Sequence, residues 1–228
     1  MRRTLAFDAD DTLWHNEGHY AETQEAFRAL LRPFHDDAWI DARLQEAEMR
    51  NLRHYGYGIK GFTLSMIETA LELTEDRLEG AGIRRVVDLG KAMLEKPVEP
   101  LPGVAEVLQA LAGGFELMVI TKGDLFDQET KLVKSGLGSH FSKVEIVSEK
   151  DPDTYAAILG RYGIPAAAFT MVGNSVKSDI LPVLALGGRA VHIPYHLTWA
   201  HEQVTSPVEA PFPVLASIRE LPGLLASW

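Results

Sequence analysis

Three carboxylates, Asp8, Asp10 and Asp11, fall within four positions, directly behind the apolar run Leu5-Ala6-Phe7. A short apolar run bounded by polar turn residues is the pattern of a buried strand. The end of that strand sets Asp8 and Asp10 side by side at the rim of a sheet. Two unit charges ~4 Å apart repel by about 4 kcal/mol at an effective dielectric of 20. A fold keeps such a cluster where a cation, a proton or a function offsets the repulsion. The bland alternative is a solvated acidic turn after an N-terminal strand.

Four further β-leaning apolar runs follow, at residues 116–120, 144–147, 169–172 and 190–193, and stretches of helical character at 125–135, 152–162 and 176–186 separate them. Asp124 and Asp151 are placed as N-caps, and Pro152 falls in a first turn, where its missing N–H costs no hydrogen bond. Alternating strand and helix predicts an α/β fold, a Rossmann-like parallel sheet with helices on both faces. Residues 15–95 break the rhythm and read as amphipathic helices over 18–31, 37–53, 62–73 and 75–94. The expected organisation is therefore an α/β core formed by residues 1–14 and 99–228, with an all-helical insertion over residues 15–98. The flanking hinges are His15-Asn16-Glu17-Gly18 and the proline-rich stretch 96–103. The end of the chain carries a short amphipathic stretch at 214–225 that is expected to pack on the core.

The 228 residues carry 22 Lys and Arg against 32 Asp and Glu, a formal charge of -10, which argues against sequence-independent binding to nucleic acid or to anionic membranes. Any phosphate site must then be built locally. The chain has no cysteine, so disulfides, thiolate catalysis and zinc–thiolate sites are excluded. Asp8 interrupts the N-terminal apolar stretch too early for a signal peptide. No apolar run approaches the ~18 residues of a membrane span. The expectation is a cytoplasmic protein, monomer or homodimer, with a small-molecule substrate.

In open parallel sheets ligands sit beyond the carboxyl ends of the strands. Behind the first four of the five runs in turn stand Asp8 and Asp10, then Thr121-Lys122-Gly123-Asp124, then Ser148-Glu149-Lys150, and then Gly173-Asn174-Ser175 with Ser178-Asp179. Carboxylates, a hydroxyl, an ammonium and glycine turns together suit the handling of a phosphoryl group with a divalent metal. This ordered set resembles the haloacid dehalogenase-like hydrolase superfamily. Asp8, Asp10 and Thr12 match its first motif, Thr121 its second, Lys150 its third and the segment 173–179 its fourth. The helical insertion resembles that superfamily's cap.

The resemblance implies roles. Asp8 would attack phosphorus and form an aspartyl-phosphate, and Asp10 would serve as general acid and then base. Asp8, the Asp10 main-chain carbonyl, Asn174 and Asp179 would hold Mg²⁺. Thr121 and the backbone N–H of Lys122 would bind phosphoryl oxygens, and Lys150 would pair with Asp8 and the phosphoryl group. Asn174 departs from the family pattern, because an aspartate is common there and an amide brings no charge. Taken singly, Thr121 also reads as a strand end, Lys150 as a solvated lysine and Asp179 as an exposed helix residue. Asp11 reads as a turn residue outside the metal shell, and the Lys122 and Lys177 side chains as surface charges. In the helical block, Tyr57 and Lys60 of the loop 55–61 are candidate leaving-group contacts, against the alternative of an exposed loop.

Within the superfamily, dehalogenases lack an acid two positions after the nucleophile, so Asp10 argues against carbon–halogen cleavage. The expected reaction is Mg²⁺-dependent hydrolysis of a small phosphorylated metabolite, a sugar phosphate or a nucleoside monophosphate. A phosphomutase and a non-catalytic phosphate- or metal-binding relative stand as alternatives.

Overall fold

The computed structural model of the protein describes residues 3–197, 199–202 and 212–228. They divide into two compact units. One takes the described residues of Met1–Glu17, Val98–Lys122 and Gln128–Trp228, and the other takes Gly18–Pro97 with Gly123–Asp127.

The first unit holds five parallel strands, β1 (Thr4–Phe7), β2 (Glu116–Lys122), β3 (Lys143–Val147), β4 (Phe169–Gly173) and β5 (Arg189–His192), in the order β3-β2-β1-β4-β5. β1 is central, with Phe7 in register with Val119 on one side and Val172 on the other. Successive strand residues point to opposite faces, and both faces are covered. Leu5, Phe7, Leu117 and Val119 enter one apolar cluster, whereas Ala6, Met118 and Ile120 enter another with Tyr155, Ile158 and Phe169. Burial on both sides is why these strands read as continuous apolar runs. Leu215, Ile218, Leu221 and Leu225 of the C-terminal stretch join the first cluster, as expected from their pattern.

The second unit contains four helices, α1 (Glu17–Leu31, whose first residue falls in the first unit), α2 (Asp37–Tyr55), α3 (Ile59–Leu73) and α4 (Gly80–Glu95). They close on Phe27, Leu31, Ile40, Leu44, Phe62, Met66 and Val86. Asp36 caps α2 by accepting from the Trp39 N–H at 2.9 Å. The helix expected from residue 75 begins only at Gly80. Glu75 and Asp76 adopt left-handed backbone, φ 52° and 59°, and end α3 in a turn.

Three more helices complete the sheet connections: α5 (Val104–Leu111), α6 (Leu125–Lys134) and α7 (Pro152–Tyr162). α5 has no counterpart in the sequence reading. It follows the proline-rich stretch directly and has no side-chain cap, since Gly103 stands at its start with φ 91°. α6 and α7 carry the expected caps, with Asp124 accepting from Asp127 N–H at 3.0 Å and Asp151 from Thr154 N–H at 2.7 Å.

The stretch expected as one helix over 176–186 is split into a π-turn, Val176–Ile180, and a short α8 (Leu181–Ala185). Pro182 explains the break. It has no N–H to give to the Ser178 carbonyl, and its ring would crowd that group in a regular helix. The carbonyl accepts from the buried Tyr155 hydroxyl at 3.1 Å instead. A short α9 (Leu221–Ala226) ends the chain, after a turn closed by the reciprocal Ser217–Glu220 capping box. No helix among the described residues is long and apolar enough to cross a membrane.

Candidate active site

Asp8 extends the β1 ladder by one residue, its N–H donating to Val172 O at 2.9 Å, so its carboxylate is fixed at the strand's end. The Lys150 ammonium, behind β3, donates to Asp8 Oδ1 at 2.5 Å and to Asp179 Oδ1 at 2.7 Å. Three residues distant in sequence thus meet around one nitrogen. Asp8 is 7% exposed, Lys150 4% and Asp179 fully buried, which disposes of the reading of Lys150 and Asp179 as surface charges. Burial alone would lower the Lys150 pKa, but the Asp179 and Asp8 carboxylates outweigh it and hold it above its ordinary value. Burial pushes the Asp8 carboxyl up to about 7; Lys150 opposes that shift and Asp179 adds to it.

Asp179 is supported from a second side. Its Oδ2 accepts from the Ser175 N–H at 3.0 Å, while Ser175 Oγ caps the π-turn by accepting from Ser178 N–H at 3.0 Å. Gly173 makes room for this carboxylate. A Cβ at that position would lie closer to the Asp179 carboxyl group than van der Waals contact allows.

The Thr12 hydroxyl lies 3.2 Å from Asp8 Oδ2 and 3.3 Å from Asn174 Oδ1. It has a single proton to give, so two acceptor oxygens converge where only one can be served. A carboxylate oxygen, an amide oxygen and a hydroxyl in one place form an all-oxygen donor set, which suits a hard divalent cation such as Mg²⁺. Among the described residues, no group of three or more His, Asp or Glu side chains has metal-binding spacing. A cation here would therefore draw on main-chain and water oxygens as well, and Mg²⁺ habitually keeps several waters.

Asp10, two residues on, turns to different partners. Its Oδ1 accepts from Trp14 Nε1 at 2.8 Å and its Oδ2 from Gln128 Nε2 at 2.7 Å, with Lys131 Nζ at 3.0 and 3.2 Å. Asp11 is the turn residue expected. It has φ 62°, and its carboxylate accepts from the N–H groups of Asn16 and Glu17, joining the turn to the start of α1. Thr121 is buried at the end of β2, where its hydroxyl has a 3.3 Å contact to Lys122 O.

The Lys122 side chain is not the surface charge its sequence context suggests, being only 14% exposed. Its ammonium reaches Glu202 at 2.5 Å, Ser178 Oγ at 3.0 Å and Glu149 at 3.4 Å. Glu202, which the sequence reading missed, also accepts from Ser175 Oγ at 2.5 Å and Ser178 Oγ at 2.6 Å. No local spacing announces it, because it follows β5 and reaches its partners across the sheet. Lys177 is exposed, as expected, and donates to the His201 carbonyl at 2.8 Å. Within the helical unit Tyr57 is half-buried, and the exposed Lys60 donates to Asp124 at 2.8 Å and stands over the Phe126 ring.

A family model for haloacid dehalogenase-like hydrolases matches residues 2–187. The chain belongs to the haloacid dehalogenase-like hydrolase family. It is 42% identical to a haloacid dehalogenase-like family hydrolase from Xanthomonas campestris, whose crystal structure superposes with a TM-score of 0.86, covering 99% of this chain and 91% of that one. The pyrimidine 5'-nucleotidase YjjG of Escherichia coli K12 is 29% identical over 97% of this chain and 96% of its own. A phosphoserine phosphatase of Thermus thermophilus is 28% identical over 84% of this chain and 88% of its own.

Proposed function

We propose that this hydrolase cleaves small phosphomonoesters in a Mg²⁺-dependent reaction through an aspartyl-phosphate. The observation that carries the reading is the buried Asp8 carboxylate held against the Lys150 ammonium. Asp8 supplies a nucleophile, and Lys150 offsets the repulsion between that nucleophile and an anionic ester. The phosphatase and nucleotidase names of the relatives support the same reaction class.

In this reading an Asp8 oxygen forms a bond to phosphorus as the ester P–O bond breaks, and Asp10 protonates the departing oxygen. Asp10 then removes a proton from the water that releases phosphate from Asp8. Thr121 Oγ and the Lys122 N–H donate to phosphoryl oxygens. Asp8, Asn174 and the Asp10 carbonyl are the proposed holders of Mg²⁺, with Asp179, whose oxygens are engaged by Lys150 and Ser175, acting through water. The ion, when bound, neutralises phosphoryl charge. The reading extends to residues 15–98 as the cap, with Tyr57 and Lys60 as leaving-group contacts, and to sugar phosphates or nucleoside monophosphates as substrates.

The test is release of inorganic phosphate from p-nitrophenyl phosphate and from a panel of sugar phosphates and nucleoside monophosphates. Activity is expected to require Mg²⁺ and to vanish in Asp8→Asn. Turnover that survives Asp8→Asn, or that is unaffected by a chelator, overturns the reading.

A further inference from the structure

Asp10 is surrounded by N–H groups from two elements. Trp14 Nε1 and Lys131 Nζ reach Oδ1 at 2.8 and 3.0 Å, and Gln128 Nε2 and Lys131 Nζ reach Oδ2 at 2.7 and 3.2 Å. Both oxygens are bonded, so the carboxylate can neither rotate about its own axis nor swing without breaking charge-assisted hydrogen bonds. Gln128 and Lys131 stand one turn apart on α6 and present one face of it.

Each of the two is itself fixed. The Gln128 amide nitrogen also donates to the Lys122 carbonyl at 3.0 Å, at the end of β2. Gln128 is 4% exposed, and its Oε1 has no hydrogen-bond partner among the described residues. A buried amide that leaves its oxygen unserved is costly. The retained geometry is therefore the one that aims both amide protons, at Asp10 and at the strand end. Lys131 Nζ additionally donates to Asn16 Oδ1 at 2.8 Å. Asn16 in turn gives its N–H to Asp11 Oδ1 at 2.9 Å. One ammonium thus ties the Asp10 carboxylate to the segment that leads from β1 into α1.

We infer that Gln128 and Lys131 are positioning residues for the reaction, holding the Asp10 carboxyl group at the point where it exchanges a proton with the leaving oxygen. The inference rests on the acid role proposed for Asp10 above. The two residues act through Asp10 and are not assigned contact with substrate.

The test compares kcat/KM for two esters in Lys131→Met and Gln128→Met. An alkyl phosphate releases a strongly basic alkoxide that needs a proton from Asp10, whereas p-nitrophenolate departs without one. Each variant is expected to lose at least about tenfold on the alkyl ester, the lower range of a general-acid contribution being ~10²-fold, and less than about threefold on p-nitrophenyl phosphate. Lys131→Arg is expected to restore the ratio between the two esters. Equal losses on both esters, or no loss on either, overturn the inference, because a merely structural role lowers both rates together. Should Lys131→Met fold poorly, Gln128→Met carries the test, since it removes no charge. Asp10→Asn run in parallel separates the two readings. If it shows no preference for the activated ester, the acid role of Asp10 falls; if it does and the two variants do not, only the positioning role falls.

Discussion

Glu202 accepts a hydrogen bond from the Lys122 ammonium at 2.5 Å across a sequence separation of 80 residues. With Ser175 and Ser178 on its other oxygen, this carboxylate links the end of β2 to the π-turn behind β4. Burial would raise its pKa, but the Lys122 charge and the hydrogen bonds from Lys122, Ser175 and Ser178 overcome that and hold it at about 2, against an ordinary 4.5. A depressed folded-state pKa stabilises the fold above the unfolded value, and that stability is lost as pH falls through the folded one. The contribution is therefore complete above about pH 5 and declines between about 4.5 and 2. A shift of this size corresponds to about 3 kcal/mol. Glu202→Gln is expected to lower the unfolding free energy by that order at pH 7, with the gap to wild type narrowing steadily from pH 5 to pH 3 in urea titrations. A gap independent of pH would show that the carboxylate is not held as an anion.

Gly173 is the last residue of β4, and a side chain there has no room because Asp179 folds back over it. Overpacking in a rigid interior typically costs 1–3 kcal/mol. Gly173→Ala is expected to destabilise by about that much and, by pushing the Asp179 carboxylate off the Lys150 ammonium, to lower phosphatase activity further than an equally destabilising core substitution does. Thermal midpoint and activity measured together decide it: a variant that loses stability with full activity would show that Asp179 keeps its place by other means.

The strands and motifs were legible because β1, β2 and β4 are buried on both faces and each gives way abruptly to polar residues at its end. β3 reads more weakly, since it lies at the sheet edge and is only half covered. α5 escaped because neither a capping side chain nor spacing from the proline stretch marks its start. The π-turn was foreshadowed by Pro182, although nothing local said that a Tyr155 hydroxyl would take over the freed Ser178 carbonyl. Asp8, Lys150 and Asp179 could be matched one motif at a time, whereas Glu202, Gln128 and Lys131 gain their meaning only from long-range contacts. Gln128 and Lys131 did carry a faint signal, a polar pair one helical turn apart beginning six residues past Lys122.

Asp11 combines a left-handed backbone with two accepted N–H bonds, so its substitutions separate strain from capping. Asparagine adopts this backbone comparatively readily and keeps one side-chain acceptor. Glycine frees the backbone but loses the acceptor, and alanine loses the acceptor while meeting the full cost of the positive φ. Burial pushes the Asp11 carboxyl up to about 7, against the N–H bond from Glu17, so a neutral side chain is no handicap there near neutral pH. The expected stability order at pH 7 is Asp11→Asn near wild type, then Asp11→Gly, then Asp11→Ala, with alanine lower by about 0.5–2 kcal/mol, the usual range for a lost cap. An alanine variant as stable as the asparagine one in chemical denaturation would refute both components.

Asp8 places function and stability in opposition. Its folded-state pKa is raised from 3.8 to about 7 by burial, with Lys150 acting against the shift. A raised folded-state value gives stability that is present below the unfolded pKa and is lost as pH rises through the folded one. In chelator, wild type is therefore expected to weaken between about pH 4 and 7, as a charge is forced onto Asp8 beside the Asp179 carboxylate. Asp8→Asn removes that charge and still leaves Lys150 paired with Asp179. The variant is expected to be inactive yet more stable than wild type by about 1–3 kcal/mol at pH 8, with no advantage at pH 4. Added Mg²⁺ should reverse the order, because an ion that binds only the folded state stabilises it by mass action, and Asn at position 8 offers it no charge. Urea titrations of both proteins at pH 4 and pH 8, with chelator and with Mg²⁺, measure each part. Destabilisation of the variant at pH 8 in chelator would mean that the Asp8–Lys150 pair is a net stabilising contact rather than strain retained for catalysis.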